Sequence, residues 1–234
     1  MALLPRRVGH GERAEPDLAA RSAGTQTVLS ERLYKWLQVL TRVDRRVPTK
    51  GAAMHLTPVD HAVATGRTKE LLDGVAAAFG KAPNMTLTMA VNPAVLEGWI
   101  ELNAALEPTL SRQLNEQIAI AIAEANGCAY CLAAHTAVGR LVGVEESELA
   151  LSRTGDSSDP RGAAALRFAL AVNEKRGGVS DQDLAEVRAA GYDDPDIAAI
   201  VGHVALNVLT NYFNRVAHTE LDFPVVEQGM AEAA

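Results

Sequence analysis

The stretch that decides the reading runs from Glu116 to His135, EQIAIAIAEANGCAYCLAAH. Asn126-Gly127 is a helix stop, so a new helix begins near Cys128 and places Cys128, Cys131 and His135 at i, i+3 and i+7. At 100° per residue the three side chains fall on one helix face. The first turn of that helix offers unpaired N–H groups and the positive end of the macrodipole to Cys128, which favours a thiolate. A helix N-terminus and a neighbouring imidazole are the two devices that lower a cysteine pKa in a C-x-x-C pair. One thiolate is then able to attack an oxidant while the other resolves the product into a disulfide.

Glu116 supplies a third element. Its neighbours at i+3, i+4 and i+7 are Ala119, Ile120 and Ala123, so the carboxylate lies along a small apolar stripe that another helix can approach closely. A charge facing such a stripe needs a partner, because an isolated buried charge is expensive. The turn at Asn126-Gly127 folds the two helices back on each other and directs Glu116 toward the cysteine and histidine face. A carboxylate that orients an imidazole, which in turn takes a thiol proton, is the logic of an activated nucleophile. Tyr130, between the cysteines, adds a candidate hydroxyl to that relay.

Outward from this stretch the chain reads as all-α, with six or seven main helices joined by short turns. Thr57-Pro58 predicts a helix through Phe79 with Gly80 as its stop, and Asn92-Pro93 predicts another to about Ala105. Ser111 caps the helix that ends at Asn126-Gly127, and the cysteine helix stops at Gly143. Pro160–Arg176 form a long Ala/Leu/Phe segment, Ser180 with Asp183 makes a capping box, and Asp194-Pro195 opens a last helix reaching about His218. Period-two strand signals are nearly absent.

The 234 residues are 48% hydrophobic and 22% charged, as in a soluble globular chain, and no apolar run approaches a membrane span. The net charge of −7 argues against nucleic acid as a partner. The charge is uneven: residues 1–53 carry ten Lys/Arg against five Asp/Glu, whereas residues 54–234 carry twelve against twenty-four. Residues 1–53 therefore read as a basic, partly disordered leader, with one candidate helix over Ser30–Val43, and residues 54–226 as the helical domain, followed by a 227–234 tail. Met54, where the composition changes, is itself a candidate start.

The pattern of Glu116, eleven residues, Cys128, two residues, Cys131, three residues and His135 resembles the motif of the alkylhydroperoxidase D family, within the carboxymuconolactone decarboxylase-like superfamily. The closing segment, Thr210-Asn211-Tyr212-Phe213-Asn214 through Thr219-Glu220-Leu221-Asp222-Phe223-Pro224, resembles that of its peroxidase-related members. The resemblance implies an AhpD-like helical array and a cytoplasmic thiol peroxidase that reduces hydrogen peroxide or organic hydroperoxides with no cofactor. It implies Cys131 as the peroxidatic cysteine, Cys128 as the resolving one, Glu116 and His135 in the proton relay, a thioredoxin-like or dihydrolipoyl electron donor, and a trimer or hexamer. The founding enzymes carry histidine where this chain has Tyr130. Classical muconolactone decarboxylases lack the cysteine pair, so the resemblance does not extend to their activity.

Rival readings are a disulfide reductase serving another peroxidase, and a non-enzymatic helical interaction module with a structural metal. Zinc is disfavoured, because ligands on one helix face at this spacing converge poorly on a tetrahedron. His203, Asn207, Asn211 and Asn214 form a polar stripe on the last helix, which predicts an interface or structural role. His55, His61 and His218 read as surface residues, and Met85, Met89 and Trp99 as core.

Overall fold

A computed structural model describes residues 54–229 of the chain; the Ser30–Val43 helix and residues 230–234 of the tail lie outside the described residues. Among the described residues the secondary structure is entirely helical: α1 Gly66–Phe79, α2 Asn84–Met89, α3 Pro93–Leu106, α4 Arg112–Ala125, α5 Ala129–Leu141, α6 Glu146–Arg153, α7 Pro160–Glu174, α8 Asp181–Ala189 and α9 Asp194–Ala217. Seven are long enough to count as main helices, as the sequence predicts; α2 and α6 are additional short ones.

The start signals that hold are those in which a side chain closes the first turn. Asn92 accepts from Ala94 N, Ser111 from Leu114 N, and Asp159 from Arg161 N and Gly162 N, while Ser180/Asp183 and Asp193/Asp196 form full capping boxes. The helix expected from Thr57-Pro58 instead starts at Gly66. The backbone before it is bonded partly to other elements, His55 N donating to Ala217 O and Val59 N to Leu87 O, and partly into a turn of its own, Val63 N donating to Asp60 O and Ala62 N to Asp60 Oδ1. Its first residues are thereby held against α2 and the end of α9, ahead of the turn at 61–63.

Helix α4 is the axis of the fold. From Gln117 to Glu124 every residue is buried, which is why its sequence is apolar on all sides rather than on one stripe. Ile118 and Ile122 face Leu166, Phe168 and Ala169 of α7 and Ile200 and Val204 of α9. Ile120 and Ala123 face α5, in a cluster holding both cysteines, Leu132 and Phe223. Each fully buried isoleucine contributes about 1.5–3 kcal/mol by area alone. A third cluster joins α1, α2 and α3 through Leu72, Met89 and Leu96, with Met85, Trp99 and Phe213 against it, so these methionines and Trp99 are core as expected.

The turn between α4 and α5 has a defined construction. Gly127 is left-handed (φ 64°), Cys128 N donates to Ala123 O and Gly127 N to Glu124 O, the paired bonds of a Schellman motif. Cys128 thus closes α4 and caps α5 at once, its sulfur accepting from Cys131 N at 3.2 Å. It sits one position before the helix rather than inside the first turn. Asn126 fixes this turn to two other helices, donating to Asn211 of α9 and exchanging hydrogen bonds with Asn173 of α7.

Candidate active site

Cys128 and Cys131 are joined by a disulfide with Cα atoms 5.3 Å apart, and both residues are buried. On the next turn of α5, His135 Nδ1 lies 2.8 Å from Glu116 Oε2. The pair is partly shielded, with the histidine side chain 29% and the glutamate 17% exposed. The contact requires α4 and α5 to run close together; Gly139 of α5 lies in ordinary contact with α4 and is tight only against Leu149 of α6. A Cβ at Gly139 would stand 2.7 Å from Leu149 Cδ2 and 3.9 Å from Glu116 Cβ. Four of the five candidate residues, Cys128, Cys131, His135 and Glu116, are therefore gathered along one side of the α4–α5 hairpin. A carboxylate bonded to Nδ1 fixes the tautomer that leaves Nε2 free to take or return a proton.

Tyr130 departs from the expected relay. Its hydroxyl donates to Asp222 Oδ1 at 2.8 Å and accepts from Met85 N at 3.2 Å, and among the described residues it makes no bond to His135 or to either sulfur. Burial, reinforced by the Asp222 charge, raises the phenol pKa well above its ordinary value, so Tyr130 stays protonated and acts as a fixed donor. Asp222 also accepts from Asn84 N and pairs with Lys81 at 3.1 Å. Phe223 packs edge-on against the Tyr130 ring. Tyr130 thus clamps the segment after α9 and the start of α2 onto the cysteine helix.

That segment continues across the N-terminus of α5. Leu221 and Val226 pack against the cysteine cluster. Arg153, bonded to the buried Glu124 at 2.9 Å, donates to Glu227 O, and Gly229 N donates to Glu124 Oε1. With its amide oxygen toward α5, Gln228 accepts from Cys128 N and Ala129 N. The stretch expected to leave the body at Glu227 is tied to it through Gly229.

The polar stripe of α9 is bonded along its length, and its last member reaches the cysteines. His203 Nε2 bonds Leu106 O, Asn207 donates to His203 O, Asn211 receives Asn126, and Asn214 Nδ2 donates to Cys131 Sγ at 3.4 Å. Asn214 is a site residue that the α9 pattern flagged without assigning it to the cysteines. A cavity of about 600 Å³ opens beside it, lined among others by Cys128, Tyr130, Tyr212, Arg215, His218 and Thr219. His218, left-handed at the end of α9, stacks on His55, and His61 bonds Asp73; of these histidines read as surface residues, His55 and His218 are exposed and His61 is half-buried. No group of three or more His, Cys, Asp or Glu side chains among the described residues is arranged to hold a metal ion.

Residues 93–175 match the carboxymuconolactone decarboxylase family. No curated protein matches the sequence significantly. Among solved structures, the alkylhydroperoxidase AhpD core of an uncharacterized peroxidase-related protein from Ralstonia eutropha JMP134 is similar, with 24% identity and a TM-score of 0.65, covering 73% of this chain and 93% of that one. The debrominase Bmp8 in complex with 2,3,4-tribromopyrrole gives 20% identity and a TM-score of 0.63, over 73% and 93%. An uncharacterized peroxidase-related protein from Silicibacter sp. TM1040 gives 22% and 0.60, over 74% and 95%. The resemblance carried by Glu116–His135 is thus borne out: this chain has the AhpD-like helical fold, and residues 93–175 match the carboxymuconolactone decarboxylase family.

Proposed function

We propose that the protein is a thiol-dependent peroxidase, reducing hydrogen peroxide or organic hydroperoxides through Cys131 and Cys128. The observation that carries this reading is a cysteine pair close enough to bridge, one turn from an imidazole held by a carboxylate. In the reduced protein His135, oriented by Glu116, takes the Cys131 proton. The thiolate attacks the terminal oxygen of the peroxide; an S–O bond forms, the O–O bond breaks, and the departing alkoxide takes the proton from His135. Sulfur is oxidised to a sulfenic acid and the peroxide is reduced to an alcohol. Cys128 then displaces water from the sulfenic acid to form the disulfide. A thioredoxin-like or dihydrolipoyl dithiol reopens it by exchange and is itself oxidised. Such donors place the reaction in a reducing compartment, for which we propose the cytoplasm.

Self-association belongs to the same proposal. Val201, Ala205, Leu209, Tyr212 and Val216 form an exposed apolar stripe along α9, and Val91, Val95 and Leu102 are further exposed apolar side chains at and beside α3. A closed homo-oligomer, a trimer or hexamer, would bury this face. Tyr212 and Val216 also border the cavity beside Cys128, so the contact would enclose the site.

The test is consumption of hydrogen peroxide and of an organic hydroperoxide by the purified full chain, with thioredoxin or dihydrolipoamide as donor. Turnover with at least one pair supports the reading, and none with any pair removes it. Because a debrominase shares the fold, a bromopyrrole is included, and turnover of it alone would reassign the cysteine pair to dehalogenation.

A further inference from the structure

Asn214 stands where helix α9 meets the disulfide. It is 3% exposed, and its amide has two unequal ends. Nδ2 donates to Cys131 Sγ at 3.4 Å, whereas Oδ1 is buried with no hydrogen-bond partner. Asn214 also lines the cavity of about 600 Å³ beside Cys128. A buried amide oxygen left unbonded costs stability, about 1–3 kcal/mol for such a group, and orphaned buried acceptors are rare enough to require a reason. Asn115 Oδ1, Asn211 Nδ2 and Thr219 Oγ1 are also buried without a partner, and among these residues Asn214 is the one that both bonds a cysteine sulfur and lines the cavity.

We infer that Asn214 is a catalytic residue of the peroxidase proposed above, and the inference rests on that reading. Its N–H steadies the Cys131 thiolate, and its free Oδ1 accepts the terminal O–H of the hydroperoxide. A primary amide presents donor and acceptor side by side. The sulfur and the oxygen it attacks are therefore held by one group, and the hydrogen accepted by Oδ1 remains on that oxygen as the sulfenic acid O–H. The two halves of the amide thus bracket the S–O bond that forms, while the alkoxide departs on the far side of the peroxide. Positioning of this kind accelerates a two-centre reaction without any new chemistry. It also explains why the polar stripe of α9 runs as far as Asn214, where a core helix would otherwise present an apolar side chain to Cys131.

The experiment isolates Asn214 from the other groups around the sulfur. These are His135 and Tyr130 on α5, Glu116 on α4, Arg215 and His218 at the end of α9 with His55 stacked upon the latter, and Asp222 with Lys81 behind Tyr130. In the Cys128→Ser protein, where Cys131 is the sole thiol, the rate of alkylation by iodoacetamide is followed against pH with and without Asn214→Ala or Asn214→Asp. Sulfenic acid formation with cumene hydroperoxide is followed by stopped flow. Circular dichroism checks the fold, and the near-isosteric aspartate guards against a cavity effect. Both substitutions are expected to move the alkylation midpoint to higher pH and to slow the peroxide step about tenfold to a hundredfold. An unchanged midpoint in folded variants would overturn the contact to sulfur. A shifted midpoint with an unchanged peroxide rate would overturn the role of Oδ1. If the parent protein reacts with no hydroperoxide, the peroxidase reading fails, and the alkylation comparison alone decides whether Asn214 supports the thiolate.

Discussion

The α4–α5 hairpin and the segment from His218 to Gly229 meet at the same two sulfurs but are built by different means. The hairpin is local: a Schellman turn, one residue that ends a helix and caps the next, and a carboxylate and imidazole brought together across the two packed helices. The closing segment has no helix and is held by single long-range bonds, Tyr130 to Asp222, Arg153 to Glu227 and Glu124 to Gly229. In the proposed reaction the hairpin supplies both sulfurs and the carboxylate–imidazole pair. The segment lies across the start of α5, where Gln228 receives the Cys128 and Ala129 N–H groups.

Breaking the hairpin carries the largest expected effect. Cys131→Ser is expected to abolish peroxide turnover, whereas Cys128→Ser reacts once and then stalls as a sulfenic acid that a dimedone probe captures. If Cys128→Ser loses the first reaction and Cys131→Ser keeps it, the roles are reversed, and the cap position of Cys128 is the dominant activator. Glu116→Gln and His135→Phe are expected to keep the fold and slow the first step by about 10²–10⁴-fold, read in the same stopped-flow trace.

Breaking the closing segment is expected to act on stability before chemistry. Arg153→Ala strands the Glu124 carboxylate, 2% exposed, without its guanidinium, at a cost of about 3–5 kcal/mol. Scanning calorimetry would show the melting temperature lowered by roughly 10 °C. Replacing both Arg153 and Glu124 with leucine is expected to recover most of the loss, because no buried charge is then left unpaired.

The smallest effect sharpens the comparison from the far end of α9. Burial holds the His203 imidazole pKa below its ordinary 6.5, against the opposing pull of its bond to Leu106 O and the Glu116 charge. Below pH 6.5 the unfolded chain therefore binds a proton that the folded protein declines. Stability contributed by neutral His203 is present above that pH and is lost as pH falls toward the folded value. Urea midpoints measured from pH 7.5 to 5.5 are expected to fall with acidification, and less steeply in His203→Gln.

The hairpin was legible because its information is sequential. Helix stop, cap, i+3 and i+7 spacing and the Glu116 stripe are all read within Glu116–His135. Helix starts were legible for the same reason wherever a side chain closes the first turn. The three that escaped, at Gly66, Asn84 and Glu146, are the three without a side-chain cap bond. Thr57-Pro58 carried a start signal, but its surroundings bond to Leu87 and Ala217, partners no window of sequence contains. Tyr130 shows the same limit in the site: its position between the cysteines suggested a relay, and its hydroxyl went to Asp222, 92 residues away. Asn214 was visible only as one member of a polar stripe, and its distinction from Asn207 lies in which helix stands opposite.

The central claim is that Cys128 and Cys131 form one redox couple driven by peroxide. It is tested most directly by whole-protein mass spectrometry of the reduced chain after one equivalent of hydroperoxide, with peptide mapping. The account predicts the loss of two hydrogens per chain, with both cysteines bridged in a single peptide, reversed by a dithiol donor. Two free thiols after exposure, or disulfides only between chains, would contradict it.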